Sequence, residues 1–96
     1  MALFCLICLD NPGALDKRVA VRPEHIAYLN TRMDVIRLAG PQLDAEGKMC
    51  GSLMVIDVAD RAAAEAFSAG DPFKQQGVFG QVEIRGFNAT LGSWVS

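Results

Sequence analysis

Ala2–Leu9 reads ALFCLICL, with Phe4, Leu6 and Cys8 on one face of an extended chain and Leu3, Cys5, Ile7 and Leu9 on the other. Side chains alternate between faces in a strand, so a run that is apolar at both parities predicts a strand covered on both sides. Asp10-Asn11-Pro12-Gly13 follows, and its proline and glycine predict a tight turn. Gly51–Val58 (GSLMVIDV) repeats the pattern, apolar on both faces apart from Ser52 and Asp57. Two such strands belong in the middle of a sheet. The other two strand-like stretches carry more polar residues, as sheet edges do: Val35–Ala39 with Arg37 in it, and Val78–Phe87. In the latter, Val78, Val82 and Ile84 face one way and Gln81, Glu83 and Arg85 the other.

Between the strands lie helical stretches. Ala14–Ala20 predicts a short helix with Leu15 and Val19 inward. Pro23 then interrupts, and a second piece runs from Pro23 to Met33, with a kink or break between the two. On that second piece Ile26, Leu29 and Met33 share one arc, and His25 falls at its edge beside Arg32. Gly40-Pro41 is expected to stop the second strand, leaving Gln42–Lys48 as a polar loop. Asp60 is placed to cap a helix over Arg61–Ala69, with Gly70 as a left-handed stop. A polar turn then follows Asp71-Pro72-Phe73 as far as Gly77.

The order is βαββαβ, an α+β ferredoxin-like arrangement in which a four-stranded antiparallel sheet of order 4-1-3-2 carries its helices on one face. The opposite face, apolar in the two central strands, needs a cover. A second copy of the chain is the simplest, and the 51% hydrophobic content fits a homodimer with face-to-face sheets. The chain, 96 residues long, is expected to form a single domain over 1–96.

Eleven acidic and nine basic residues without a basic run give no support for nucleic acid or an anionic membrane as partner. Ala2–Leu9 is too short to span a bilayer and no cationic segment precedes it, so a cytoplasmic protein is expected. Cys5 and Cys8 form a C-x-x-C, but on a strand residues three apart point to opposite faces, which argues for inert thiols rather than a metal or redox site. Cys50 is expected to stand alone in a turn. No metal or cofactor is expected.

His25 is the only histidine, hence the only side chain that titrates near neutrality without special help. A half-buried structural histidine is the plain alternative to a functional one. Asp71 precedes a proline after a helix, a placement that also commonly shapes a turn. Ser52 starts a strand where it could line a pocket, with no base near it in sequence. Arg37 suits a ligand carboxylate or a solvated edge charge, and Tyr28 and Arg22 lie near His25.

Four stretches in this order, LDKRVAVRPEHIAYL, LAGPQLD, GSLMVIDVADRAAAEAFSAGDPF and GVFGQVEIRGFN, resemble the YciI-like family of the dimeric α/β-barrel superfamily. The resemblance implies a pocket between sheet and helices with a histidine and an aspartate at an active site, and His25 and Asp71 stand at the matching positions. Two departures stand out: Phe73 replaces a tyrosine frequent after the Asp-Pro pair, and the loop at 42–48 is shorter than in many members. Relatives include a dehydrochlorinase acting on a chlorinated hydroxyquinol and, more distantly, muconolactone isomerases. The expectation is therefore a cofactor-free lyase or isomerase, using a His25–Asp71 pair for acid–base chemistry on a small ring-containing metabolite. Ser52, Arg37, Phe73 and Tyr28 are the candidate ligand-binding residues. The alternative is a non-catalytic module that binds a small ligand or serves as an oligomeric accessory protein.

Overall fold

A computed structural model describes residues 1–95. The elements follow the order β1 (Ala2–Asp10), α1 (Leu15–Asn30), β2 (Ile36–Leu43), β3 (Met49–Val58), α2 (Arg61–Ala69), α3 (Pro72–Gln75) and β4 (Phe79–Phe87). The sheet order is β2-β3-β1-β4, all neighbours antiparallel, so the two doubly apolar strands do lie in the centre. Leu6 pairs with both Met54 and Ile84, and Cys8 with Ser52 and Val82. This register puts Phe4, Leu6, Cys8, Met54, Ile56 and Val58 on the helix side, where they join Val21, Leu29, Ala64, Phe67, Phe73 and Val78 in one core. Leu9, Leu53 and Phe87, of the other parity, are exposed. Cys5 and Cys8 point to opposite faces, Cys8 fully buried in the core.

Several local expectations change. Pro23 does not break α1, which runs as one 16-residue helix with the proline inside. The missing N–H deprives the Val19 carbonyl of its partner, but Val19 and Pro23 both face solvent, where water substitutes. The buried stripe of α1 also differs from the arc expected. Arg18, Val21, His25 and Leu29 face inward, whereas Val19 and Met33 are exposed and Ile26 only half-buried. His25 thus lies in the middle of the stripe, not at its edge.

β2 passes through Gly40 and Pro41 to Leu43 rather than stopping before them. As an edge strand paired only with β3, it tolerates a residue that has no N–H to donate. The remaining loop is a tight hairpin in which Asp44 Oδ1 accepts from the amides of Glu46 and Lys48, and Gly47 takes a left-handed φ of 80°. Asp60 caps α2 as expected, accepting from the Ala63 amide. Gly70 is not left-handed, with φ −82°. Its reason is space: a Cβ there would sit 2.7 Å from the Tyr28 hydroxyl. The expected turn after Asp71 is the short helix α3, capped by the Asp71 side chain, which accepts from the Phe73 amide.

Candidate active site

The seven-residue interval from Arg18 to His25 is two turns of helix, so both project from α1 toward the sheet at the same face. Asp71 comes from the other helical layer, at the junction of α2 and α3, where its cap role holds the carboxylate still. It meets the imidazole: His25 Nδ1 and Asp71 Oδ1 are 2.8 Å apart, and the same oxygen accepts from the Phe73 amide at 2.9 Å. Both residues are buried, Asp71 at 1% exposure, and its Oδ2 has no partner among the described residues. An ionised carboxylate can only accept, so the shared proton belongs on Nδ1 when the histidine is neutral. The Nε2 lone pair is then left over.

The Phe73 ring supports this arrangement. It stacks on His25 with centroids 3.9 Å apart and planes 11° from parallel, and the Arg18 guanidinium lies over the same ring at 4.7 Å. Phe79 closes against Phe73 edge-on. A tyrosine hydroxyl would add a polar atom to this packing; phenylalanine leaves it apolar.

Arg18 is itself held by a built set of partners. Nε and Nη2 donate to the two oxygens of Asp10 at 2.8 and 3.2 Å, and Nη2 also donates to Ser52 Oγ at 2.7 Å. Asp10 ends β1 and Ser52 on β3 pairs with Cys8, two residues before Asp10 on the same face, so the sheet fixes both carboxylate and hydroxyl. Arg18 is only 3% exposed, and a guanidinium that deep needs such a bidentate partner.

These groups border a cavity of about 120 Å³ between α1 and the β2–β3 end of the sheet. Arg18, Arg22, His25, Ser52 and Phe73 contribute to its wall, with Ile26, Met54 and the Gly40-Pro41 segment of β2 completing it. Of the residues singled out in the sequence, Arg22, His25, Ser52 and Phe73 thus share the cavity wall, with Asp71 directly behind the histidine. Arg37 does not belong to it: the side chain pairs with Asp57 at 2.9 Å on the exposed edge and donates to the Asp34 carbonyl. Tyr28 does not either. Its hydroxyl donates to the Phe67 carbonyl at 2.7 Å, fastening α1 to α2, and burial pushes the phenol above its ordinary pKa. Arg18 and Asp10 were missed. The only signal was their spacing, since Arg18 lies two turns before His25 and Asp10 closes the first strand.

Cys8 is near enough to be affected by the site's charges. Burial pushes its thiol up to about 12, and the Asp71 carboxylate adds to the rise. Among the described residues no three metal-ligating side chains cluster so as to hold an ion, and no helix is long and apolar enough to cross a membrane.

The YCII-related domain model matches residues 2–88. The chain belongs to the YCII-related family. Within it, this YCII-related protein is 30% identical over 93 residues to Protein YciI of Escherichia coli, an alignment covering 88% of this chain and 95% of that one. An uncharacterised protein of Haemophilus influenzae is 30% identical over 92 residues, covering 88% and 94%. Among solved structures, 5-chloro-2-hydroxyhydroquinone dehydrochlorinase (TftG) of Burkholderia phenoliruptrix, in complex with 2,5-dihydroxybenzoquinone, superposes with a TM-score of 0.86 at 27% identity. That match covers 92% of this chain and 95% of the other. An antibiotic biosynthesis monooxygenase shares the fold at a TM-score of 0.56 and 16% identity, over 95% of this chain and all of that one.

Proposed function

We propose that this protein is a lyase or isomerase that moves a proton on a small oxygenated ring, with His25 as general base and acid and Asp71 as its orienting carboxylate. The carrying observation is the 2.8 Å His25–Asp71 contact beside a cavity sized for one ring. An engineered apolar cavity of ~150 Å³ accepts benzene, so about 120 Å³ with an open side suits a monocycle. In this reading Nε2 takes a proton from a ring carbon or hydroxyl next to a carbonyl. The imidazolium that results faces the Asp71 carboxylate, which stabilises it in a water-poor site. The proton then returns at another position, giving an isomer, or a leaving group departs with the electron pair, giving an elimination. The TftG likeness supports the second course, because that protein is a dehydrochlorinase.

The reading includes a homodimer. Leu9, Leu53 and Phe87 on the open sheet face, with Leu91 and Trp94 beyond β4, are exposed apolar groups that a second copy would cover. Sedimentation at micromolar concentration tests this, a monomer being the refuting result.

For the chemistry, the test is turnover of a panel of hydroxyquinols, chlorinated hydroxyquinols and unsaturated lactones by the wild type and by His25→Asn. Loss of the histidine should lower turnover of the accepted compound by roughly 10²–10⁴. Turnover preserved in His25→Asn refutes the role. Binding across the panel without turnover selects the non-catalytic module instead.

A further inference from the structure

We propose that the cavity selects a monocyclic ligand bearing one anionic oxygen, a carboxylate, enolate or phenolate, held by Arg18 Nη1 from the wall and by Arg22 at the mouth. This deepens the proposed function and rests on its reading of the cavity as a ligand site. Arg18 commits Nε and Nη2 to Asp10 and Ser52, while Nη1 has no partner among the described residues. Ser52 Oγ accepts from Arg18, so its own hydrogen is available to another acceptor. The side chains therefore offer the cavity donors from Arg18, Arg22 and Ser52, against one acceptor, His25 Nε2.

Charge counting points the same way. Asp10 neutralises Arg18, and Asp71 neutralises His25 once the imidazole has taken a proton. Arg22 has no acidic partner among the described residues, and its neighbour Glu24 bonds to Gln76. The cavity wall thus carries Arg22 as a positive charge without a salt-bridge partner among the described residues, the Asp71 carboxylate lying behind His25 rather than on the wall, and a monoanionic ligand gives it one.

The helix supplies the spacing. Arg18, Arg22 and His25 follow one another by four and three residues, which places them along one face. At ~1.5 Å of rise per residue, Arg22 lies about 4–5 Å along the axis from His25 and Arg18 about 10 Å. A six-membered ring whose charged oxygen lies between the two arginines reaches His25 with its far edge. The arginines would then set which ring atom is presented to Nε2.

Benzoate and benzamide form a matched pair that differs in charge and not in size. Binding of each is followed by NMR shifts of the His25 and Phe73 ring signals, with the Arg18 guanidinium signals recorded alongside. Benzoate should bind at least about 10-fold more tightly than benzamide at low salt, an advantage that shrinks as salt is added. Arg22→Gln, at an exposed position, should cut benzoate affinity about 5-fold or more and leave benzamide unchanged. The Arg18 signals should move with benzoate only. Equal binding of the two probes, or a preference untouched by Arg22→Gln, overturns the anion selectivity while leaving the cavity a ligand site. Immobile Arg18 signals overturn that residue's share. If neither probe shifts the His25 or Phe73 signals, the cavity is not a ring-binding site, and this inference falls together with that premise. Turnover is not measured, so an absent reaction does not decide the outcome.

Discussion

Replacing Arg18 by methionine should show how far the site doubles as framework. The side chain is nearly fully buried and makes three bonds, two of them to Asp10, whose own side chain is only 6% exposed. Methionine fills similar space but leaves the Asp10 carboxylate buried without its counter-charge, and losing one partner of a buried pair costs about 3–5 kcal/mol. Against a total stability of roughly 5–15 kcal/mol for such a domain this is a large fraction, equivalent to a Tm lower by roughly 12–40 °C. Adding Asp10→Asn should recover more than half of the loss, because no charge is then stranded; the residual of about 1 kcal/mol reflects the bond lost at Ser52. Urea unfolding followed by circular dichroism gives the cycle. A loss below about 1 kcal/mol for Arg18→Met, or a double variant whose loss equals the sum of the singles, would refute the buried-pair argument.

Gly70→Ala should destabilise by about 1–2 kcal/mol in the same assay, because the new methyl displaces the Tyr28 hydroxyl from the Phe67 carbonyl; stabilisation by about 0.4–1 kcal/mol, the usual benefit at a permissive φ, would show that the ring moves aside freely. Cys8 should resist iodoacetamide in the native protein at pH 8, with the half-buried Cys50, on the helix side of the sheet, labelled first in a mass-spectrometric time course. Its pKa, raised on folding from 9.0 to about 12, also means that the unfolded chain loses the thiol proton first; stability falls as pH climbs from about 9 toward 12, by at most about 1.4 kcal/mol per unit, and Cys8→Ala should flatten that slope. Asp71→Asn should redistribute the His25 ring proton between its two nitrogens, read from ring ¹⁵N shifts, and a spectrum identical to the wild type would separate the carboxylate from the tautomer.

The strands were legible because two-residue alternation is a direct record of which faces are covered. ALFCLICL and GSLMVIDV carried the sheet order, and no edge strand imitates them. Helix α1 departs from the expected arc because polar side chains lie on its inward face. Its inward stripe contains Arg18 and His25, where a hydrophobic pattern expects apolar side chains, while the apolar Val19 and Met33 face water. A pattern search therefore rotates the helix toward the wrong residues, and sites that bend the local rules are where such searches fail. The proximity of Asp71 to His25 was suggested by family resemblance and by helices sharing one sheet face; spacing alone could not supply it across 46 positions. Arg37 and Tyr28 illustrate the converse. Both are plausible by type, and each is committed to a neighbour that sequence distance conceals.

Pro41 has a bearing beyond the cavity wall it helps form. β2 is an open edge, and an open edge offers unpaired amides and carbonyls on which another strand can grow. With an imide nitrogen at 41 and a glycine before it, the row of donors is interrupted at the cavity mouth. The edge of the sheet beside the cavity is thus poorly suited to templating a foreign backbone, so edge-to-edge pairing of crowded chains is disfavoured along this strand.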